Sequence, residues 1–314
     1  MTQRLLVIKP SSLGDVIHAL TAIQTLRRSR ADVIVDWVIR SDLAPIISHS
    51  GLVDKFYEFH RGAGLRSFFQ LIREIRKTSY DILWDMQGLA RSGIITYFAH
   101  AKRKIGRKDS REGAFLAYDE RVGFAPSQAE KEHAVTILAH FLPTLGLEAR
   151  VDGDIEWPLT PSVHESSSPY IAIFPETRGK GKEWPYFPVL AGQLFHSEGF
   201  PSDWKLKILG NRKDFIPEVH PQLEDLRGQT SLEQLLSIIQ SARCIVANDS
   251  GPVHIAASMR TPVIGLYGPT SGERFGPYPS DHSSNFYLQA PNGDLSFLSI
   301  SDVTGEILKR IIAK

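Results

Sequence analysis

The chain is 314 residues long, enough for two domains of ordinary size, and its 42% hydrophobic and 23% charged residues describe a soluble globular protein. A formal net charge of +1 argues against a general nucleic-acid binder, and the single cysteine, Cys244, excludes a disulfide framework. The N-terminus lacks the apolar core of a signal peptide, and no run approaches the roughly 18 apolar residues of a membrane span. The chain is therefore expected to be cytoplasmic, with at most a peripheral membrane association.

Residues 1–155 hold 22 Lys and Arg against 18 Asp and Glu, and the remainder 14 against 17, so the first half is mildly basic. Residues 5–8 read as a short apolar strand, followed by the polar turn KPSSLGD and a helix over 16–28 with Val16, Leu20, Ile23 and Leu26 at helical spacing. The turn is neither a P-loop nor a dinucleotide glycine fingerprint. It places Asp15 in the first turn of the helix, where the dipole favours a carboxylate; Asp15 is a candidate base or an N-terminal cap. A strand over 33–39 and a short helix from 45 follow, then a strand edge over 54–59. HRGAGLRSFFQLIREIRK becomes an amphipathic helix with Phe68, Phe69, Ile72 and Ile75 on its apolar side. Arg61 and Arg66 lie where cations oppose the helix dipole, which suggests an anionic partner or a solvated surface. After a strand over 81–85 and the turn Gln87-Gly88, the six cations between Lys102 and Arg111 read as a loop suited to phosphate. A helix is expected from about Glu132 to Leu145.

Prolines and serines place a linker at about 150–168, with domains over 1–155 and 156–314. Residues 170–174 form the next strand, and the basic, glycine-punctuated loop FPETRGKGKEWP suits a diphosphate. Another strand spans 205–209, and Asp214 stands beyond its turn, where an acidic residue can accept bonds from ribose hydroxyls. Residues 244–269 give strand, loop, helix and strand, with Asn248, Asp249, Ser250, Gly251 and Pro252 crowding one turn at a sheet edge. That is a phosphate site, unless Asp249 and Ser250 only cap the helix. His254 and His18 each lie one turn into their helices and read as structural or hydrogen-bonding groups. The last helix, from Asp302, is amphipathic and expected to pack back on the first domain. Strand–helix alternation throughout implies an α/β fold of two doubly wound Rossmann-like domains facing each other across a cleft. Lacking metal-ligand spacing and a Gly-x-Ser-x-Gly elbow, the residues fit metal-free displacement at a sugar carbon with a nucleoside diphosphate departing.

KPSSLGDVIHALTAI, DMQGL with Arg91-Ser92, the spacing of Lys182 and Trp184-Pro185, and NDSGPVHIAA…TPVIGLYGPT together resemble the lipopolysaccharide core heptosyltransferases of glycosyltransferase family 9, of GT-B architecture. The run DWVIRSDLAPII looks more like heptosyltransferase I than heptosyltransferase II. The resemblance implies an inverting, metal-independent enzyme without a cofactor. It implies ADP-L-glycero-D-manno-heptose as donor, the Kdo of Kdo2–lipid A as acceptor, and peripheral contact with the cytoplasmic face of the inner membrane. Asp15 then matches the general base, and Lys9, Ser12, Gly14, Gln87 and the arginines Arg61, Arg66 and Arg107 fall to the acceptor. Donor positions are Lys182 and Asp249 for the sugar and its phosphate; Thr177, Arg178, Ser250, Gly251 and His254 for the diphosphate; Asp214 for ribose; and Gly228 and Thr230 for adenine. Alternatives are heptosyltransferase II, another family 9 transferase, or a non-catalytic nucleotide-sugar binder that keeps the fold.

Overall fold

In the computed structural model the chain divides into two compact units, Met1–Pro158 and Leu159–Lys314. The structure describes residues 2–158, 168–212, 215 and 219–312.

The first unit opens with β1 (Arg4–Ile8), α1 (Leu13–Ser29), β2 (Ile34–Arg40), α2 (Ala44–Ser50) and β3 (Lys55–Phe59). It continues through α3 (Gly64–Ile75), β4 (Tyr80–Asp85), α4 (Ala90–Phe98), β5 (Ala101–Arg107), β6 (Glu120–Val122), α5 (Pro126–Ala129) and α6 (Ala134–Ala139). Short Val, Ile and Leu runs such as Leu5 to Ile8 are buried on both faces, as strands of a helix-covered parallel sheet must be. The sheet is parallel throughout, in the order β3-β2-β1-β4-β5-β6.

The second unit runs β7 (Tyr170–Phe174), α7 (Phe187–Phe195), β8 (Lys205–Ile208), β9 (Leu223–Asp225), α8 (Leu232–Ser241) and β10 (Cys244–Asn248). It ends with α9 (Gly251–Ser258), β11 (Val263–Tyr267), α10 (Gly272–Phe275), β12 (Asn285–Gln289) and α11 (Ile300–Ile312). Its parallel sheet is ordered β12-β11-β10-β7-β8-β9. Counted from the first strand of each unit, the two orders are identical, although no repeat is visible in the sequence. The order reverses between β1 and β4 in one unit and between β7 and β10 in the other. Sheets of this order take ligands at the carboxyl ends of those strands.

Several expectations are corrected. The cation-rich stretch from Lys102 is strand β5, and three of its charges are taken: Lys102 pairs with Asp81, Arg103 with Glu120, and Arg107 with Asp109. Lys102 and Arg103 reach carboxylates on the neighbouring strands β4 and β6, while Arg107 is held by an aspartate two residues further along the chain. Phe69 points outward, while Leu71, Ile72 and Ile75 form the buried side of α3. The helix expected over 132–145 is six residues of α6, capped by His133, followed by a separate turn over Leu142–Leu145. Residues 151–157, expected as linker, lie along α1: Val151, Ile155 and Trp157 are buried, and Arg28 pairs with Asp152, Asp154 and Glu156. The final helix buries Val303, Ile307 and Ile311 in the core of its own unit, beside Trp184 and Phe187. None of the described helices is long and apolar enough to cross a membrane.

Candidate active site

In the first unit the chain leaves β1 at Ile8 and enters α1 at Leu13, so Lys9 to Ser12 lie at the carboxyl edge of the sheet. Asp15 stands in the first turn of α1, and its Oδ2 accepts from the Ser12 hydroxyl (2.6 Å) and the Ser12 amide (3.1 Å). Lys9 Nζ donates to the other oxygen at 3.3 Å; the lysine side chain is 2% exposed and the aspartate side chain 44%. Burial pushes the Asp15 carboxyl up. The Lys9 ammonium, the Ser12 hydroxyl, His18 and the Ser12 amide outweigh it and hold the carboxyl below the usual aspartate range. Lys9 is itself pushed down by burial, with Asp15 opposing. The result is a carboxylate that is ionised at neutral pH and still reachable from water.

Beside it, Asp85 ends β4, fully buried, and anchors the next loop. Its Oδ1 accepts from the amides of Gln87 and Gly88, both at 3.0 Å, and its Oδ2 from the Tyr118 hydroxyl at 2.7 Å. Burial raises the Asp85 carboxyl despite these donors. Tyr118 reaches it only because residue 106 is glycine: a Cβ there would lie 2.0 Å from the tyrosine ring. Gly88 has φ +71° and passes Ser110 so closely that a Cβ would fall 3.2 Å from it. Gln87 is half-buried, and its Oε1 has no hydrogen-bond partner among the described residues. Arg107, clamped by Asp109, lies near enough to act electrostatically on Lys9. Ser12, Arg61 in the loop before α3 and Arg66 in its first turn are exposed, and Gly14 is buried in α1.

The second unit gathers its groups around Asp249. Lys182 Nζ donates to Asp249 Oδ2 at 2.7 Å and the Thr270 hydroxyl to the same oxygen at 2.6 Å. The Thr177 hydroxyl donates to the Asp249 carbonyl at 2.7 Å. Asn248 fixes the basic loop at both ends: its Oδ1 accepts from the Trp184 amide and its Nδ2 donates to the Pro175 carbonyl. Neither Asp249 nor Ser250 uses its side chain to cap α9; Ser250 Oγ turns back to the Asn248 carbonyl at 3.0 Å. The simple capping alternative therefore fails, and the first turn of α9 keeps its amides free of side-chain caps, with Pro252 supplying none. Arg178 is exposed, and His254 is buried within α9. Gly228, at φ +70°, bonds through its amide to the Gly210 carbonyl, and Thr230 is half-buried just before α8. Asp214 lies outside the described residues.

Asp85, Tyr118 and Thr270 were not singled out from sequence. Asp85 carried a usable signal, an aspartate ending an apolar strand before Gln-Gly. Thr270 likewise follows Gly268-Pro269 at the end of the strand beside Asp249. Tyr118, 33 positions from Asp85, carried none. Among the described residues no three His, Cys, Asp or Glu side chains are grouped to hold a metal ion.

Two parallel α/β units of one strand order, each with polar loops at the carboxyl edge of its sheet, have the GT-B architecture. The fold matches that of Escherichia coli heptosyltransferase WaaC, solved with ADP, at a TM-score of 0.81 and 24% identity, covering 98% of this chain and 99% of that one. The family model for glycosyltransferase family 9 (heptosyltransferase) matches residues 68–293, and the chain belongs to that family. It is 27% identical to lipopolysaccharide heptosyltransferase 2 of Salmonella typhimurium, over 85% of this chain and 83% of that protein. It is 25% identical to lipopolysaccharide heptosyltransferase 1 of the same organism, over 97% and 99%. The lean towards heptosyltransferase I read from DWVIRSDLAPII is not separated from heptosyltransferase II by these identities.

Proposed function

We propose that the chain is an inverting, metal-independent heptosyltransferase that moves L-glycero-D-manno-heptose from ADP-heptose to the Kdo of Kdo2–lipid A. In this reading the first unit binds the acceptor and supplies Asp15 as general base. The second binds the donor through Thr177, Arg178, Lys182, Asp214, Gly228, Thr230, Asp249, Ser250, Gly251 and His254. The reaction takes place on the cytoplasmic face of the inner membrane, which the enzyme touches peripherally.

The observation that carries it is the state of Asp15: ionised, fixed by Lys9 and Ser12, and open enough to meet a hydroxyl. An acceptor oxygen bonds to the anomeric carbon as the bond to the ADP oxygen breaks, and the hydroxyl proton passes to Asp15. A carboxylate this weakly basic takes the proton late, once the forming bond has made the hydroxyl acidic. The charge left on ADP is met by Lys182 and the amides opening α9, which are already in place before reaction. Lys9, Ser12, Gly14, Gln87, Arg61, Arg66 and Arg107 are assigned to the acceptor's carboxylates and phosphates, Arg107 by first leaving Asp109.

The test is mass spectrometry of Kdo2–lipid A incubated with the chain and ADP-heptose. A gain of one heptose supports the proposal, with Asp15→Ala losing turnover but keeping donor affinity, and chelators without effect. No gain on this acceptor but a gain on one already bearing a heptose supports heptosyltransferase II. Donor binding without transfer to either acceptor supports the non-catalytic binder.

A further inference from the structure

Every exposed large hydrophobic side chain described in the first unit lies on three elements, α3, α4 and the turn Ala114–Ala117. Helix α3 presents Leu65 and Phe69, 74% and 57% exposed; α4 presents Ile94, Tyr97 and Phe98, 44%, 64% and 38%; the turn presents Phe115 and Leu116, 47% and 79%. These elements adjoin. Helices α3 and α4 share one core cluster against the sheet through Leu71, Ile72, Ile75 and Ile95, and Arg76 donates to the Phe98 carbonyl. The turn packs on α4, where a Cβ on Gly93 would lie 2.8 Å from Ala114. Seven large apolar side chains on neighbouring elements go beyond the scattered hydrophobics of an ordinary surface.

The charge on this face points to what covers it. Exposed Arg66, Arg73 and Arg91 stand on the two helices against one carboxylate, Glu74, which is taken up by Lys77. Lys104 lies over the Tyr97 ring at 5.9 Å and Arg121 over Phe115 at 6.0 Å, so cations flank the aromatic rings. Apolar and aromatic side chains projecting among arginines, with almost no free acid, suit the boundary between headgroups and acyl chains of an anionic bilayer.

We propose that this face, built from α3, α4 and the turn Ala114–Ala117, is a membrane-docking surface that inserts Leu65, Phe69, Tyr97 and Leu116 into anionic lipid. It deepens the peripheral contact in the function proposed above, and its test uses neither donor nor acceptor. The full chain is sedimented with vesicles of phosphatidylcholine alone and of phosphatidylcholine mixed with phosphatidylglycerol. Binding to the anionic vesicles is expected, weakened by salt and absent from the neutral ones. The triple variant Phe69→Ser, Tyr97→Ser, Leu116→Ser should partition at least about tenfold more weakly with an unchanged melting temperature, since all three side chains are already in water. Arg73→Glu should weaken binding several-fold and leave turnover on detergent-dispersed acceptor unchanged. Equal binding by the triple variant, or no binding by the parent chain, overturns the proposal. So does concentration-dependent self-association that the triple variant abolishes, which would make the face an interface between copies. Failure of heptose transfer with vesicle binding intact would count against the function alone.

Discussion

Replacing Lys9 by methionine isolates what keeps Asp15 ionised. Lys9 Nζ stands 3.3 Å from the carboxylate, the lysine side chain 2% and the aspartate side chain 44% exposed. Unit charges about 4 Å apart attract by about 1 kcal/mol in water and about 4 kcal/mol at the effective permittivity near a protein surface. Solvent reaches nearly half of this carboxylate, so the screened part of that range applies, about 1–2 kcal/mol, which corresponds to roughly one pH unit. Lys9 favours the charged form of Asp15, so its removal raises the carboxyl's pKa. The acid limb of kcat/KM against pH should move up by about one unit. Methionine fits the buried stem, and the Ser12 hydroxyl and amide still hold the carboxylate, so Asp15 remains charged near neutral pH. The assay is heptosyl transfer by Lys9→Met and the parent chain from acid to neutral pH. Asp15→Asn runs beside them and should lose about two to four orders of magnitude. An acid limb that stays in place refutes the reasoning, whatever happens to the plateau.

Lys182→Ala should weaken ADP-heptose binding by calorimetry at least about tenfold. Combined with Asp249→Ala, the losses should be non-additive by about 0.5–3 kcal/mol, because the two side chains meet at 2.7 Å; additive losses would mean separate roles. Gly106→Ala should cost about 1–3 kcal/mol in urea unfolding, since its new methyl must displace Tyr118 from Asp85. An unchanged midpoint would show that the tyrosine yields freely. Asp81, Glu120 and Glu306 are held below their usual ranges by Lys102, Arg103 and Lys309 respectively. Their folded pKa values lie below the unfolded ones, so their contribution to stability is complete above about pH 5 and is lost as pH falls through the folded values. Asp85, raised by burial, has the opposite sign, costing stability as pH rises through its unfolded value. Melting temperatures should therefore fall below about pH 4, and Asp85→Asn should remove the opposing trend; a flat acid side in the parent chain would refute this.

What was legible in the sequence is what local patterning controls. Val263–Tyr267 and Tyr170–Phe174 match the expected strands because buried parallel strands read as unbroken apolar runs. The loops after β1, β7 and β10 were visible because polar residues interrupt such runs abruptly. Edge strands β6 and β9 were not: three residues each, only partly buried, they have no run to show. The cations of β5 misled because a charge pattern carries no record of its partners. Asp81 and Glu120 become neighbours of Lys102 and Arg103 only after β4 and β6 flank β5. Asp85 depends on Tyr118 in the same way, a contact made by topology rather than spacing.

The two units also explain why only one of two similar pairs suits proton transfer. Each places a lysine against an aspartate at the carboxyl edge of its sheet, Lys9 with Asp15 and Lys182 with Asp249. In the second unit the aspartate side chain is 12% exposed, and one oxygen is filled by both the Lys182 ammonium and the Thr270 hydroxyl. Protonating it would leave an ammonium that is itself three-quarters buried without its counter-charge, so Asp249 serves better to hold Lys182 in place than to accept a proton. In the first unit the exposures are reversed. The lysine is the buried partner and the carboxylate the open one, so a hydroxyl can approach Asp15 from water while Lys9 holds it in its ionised form. Which partner is buried decides which aspartate can act as a base.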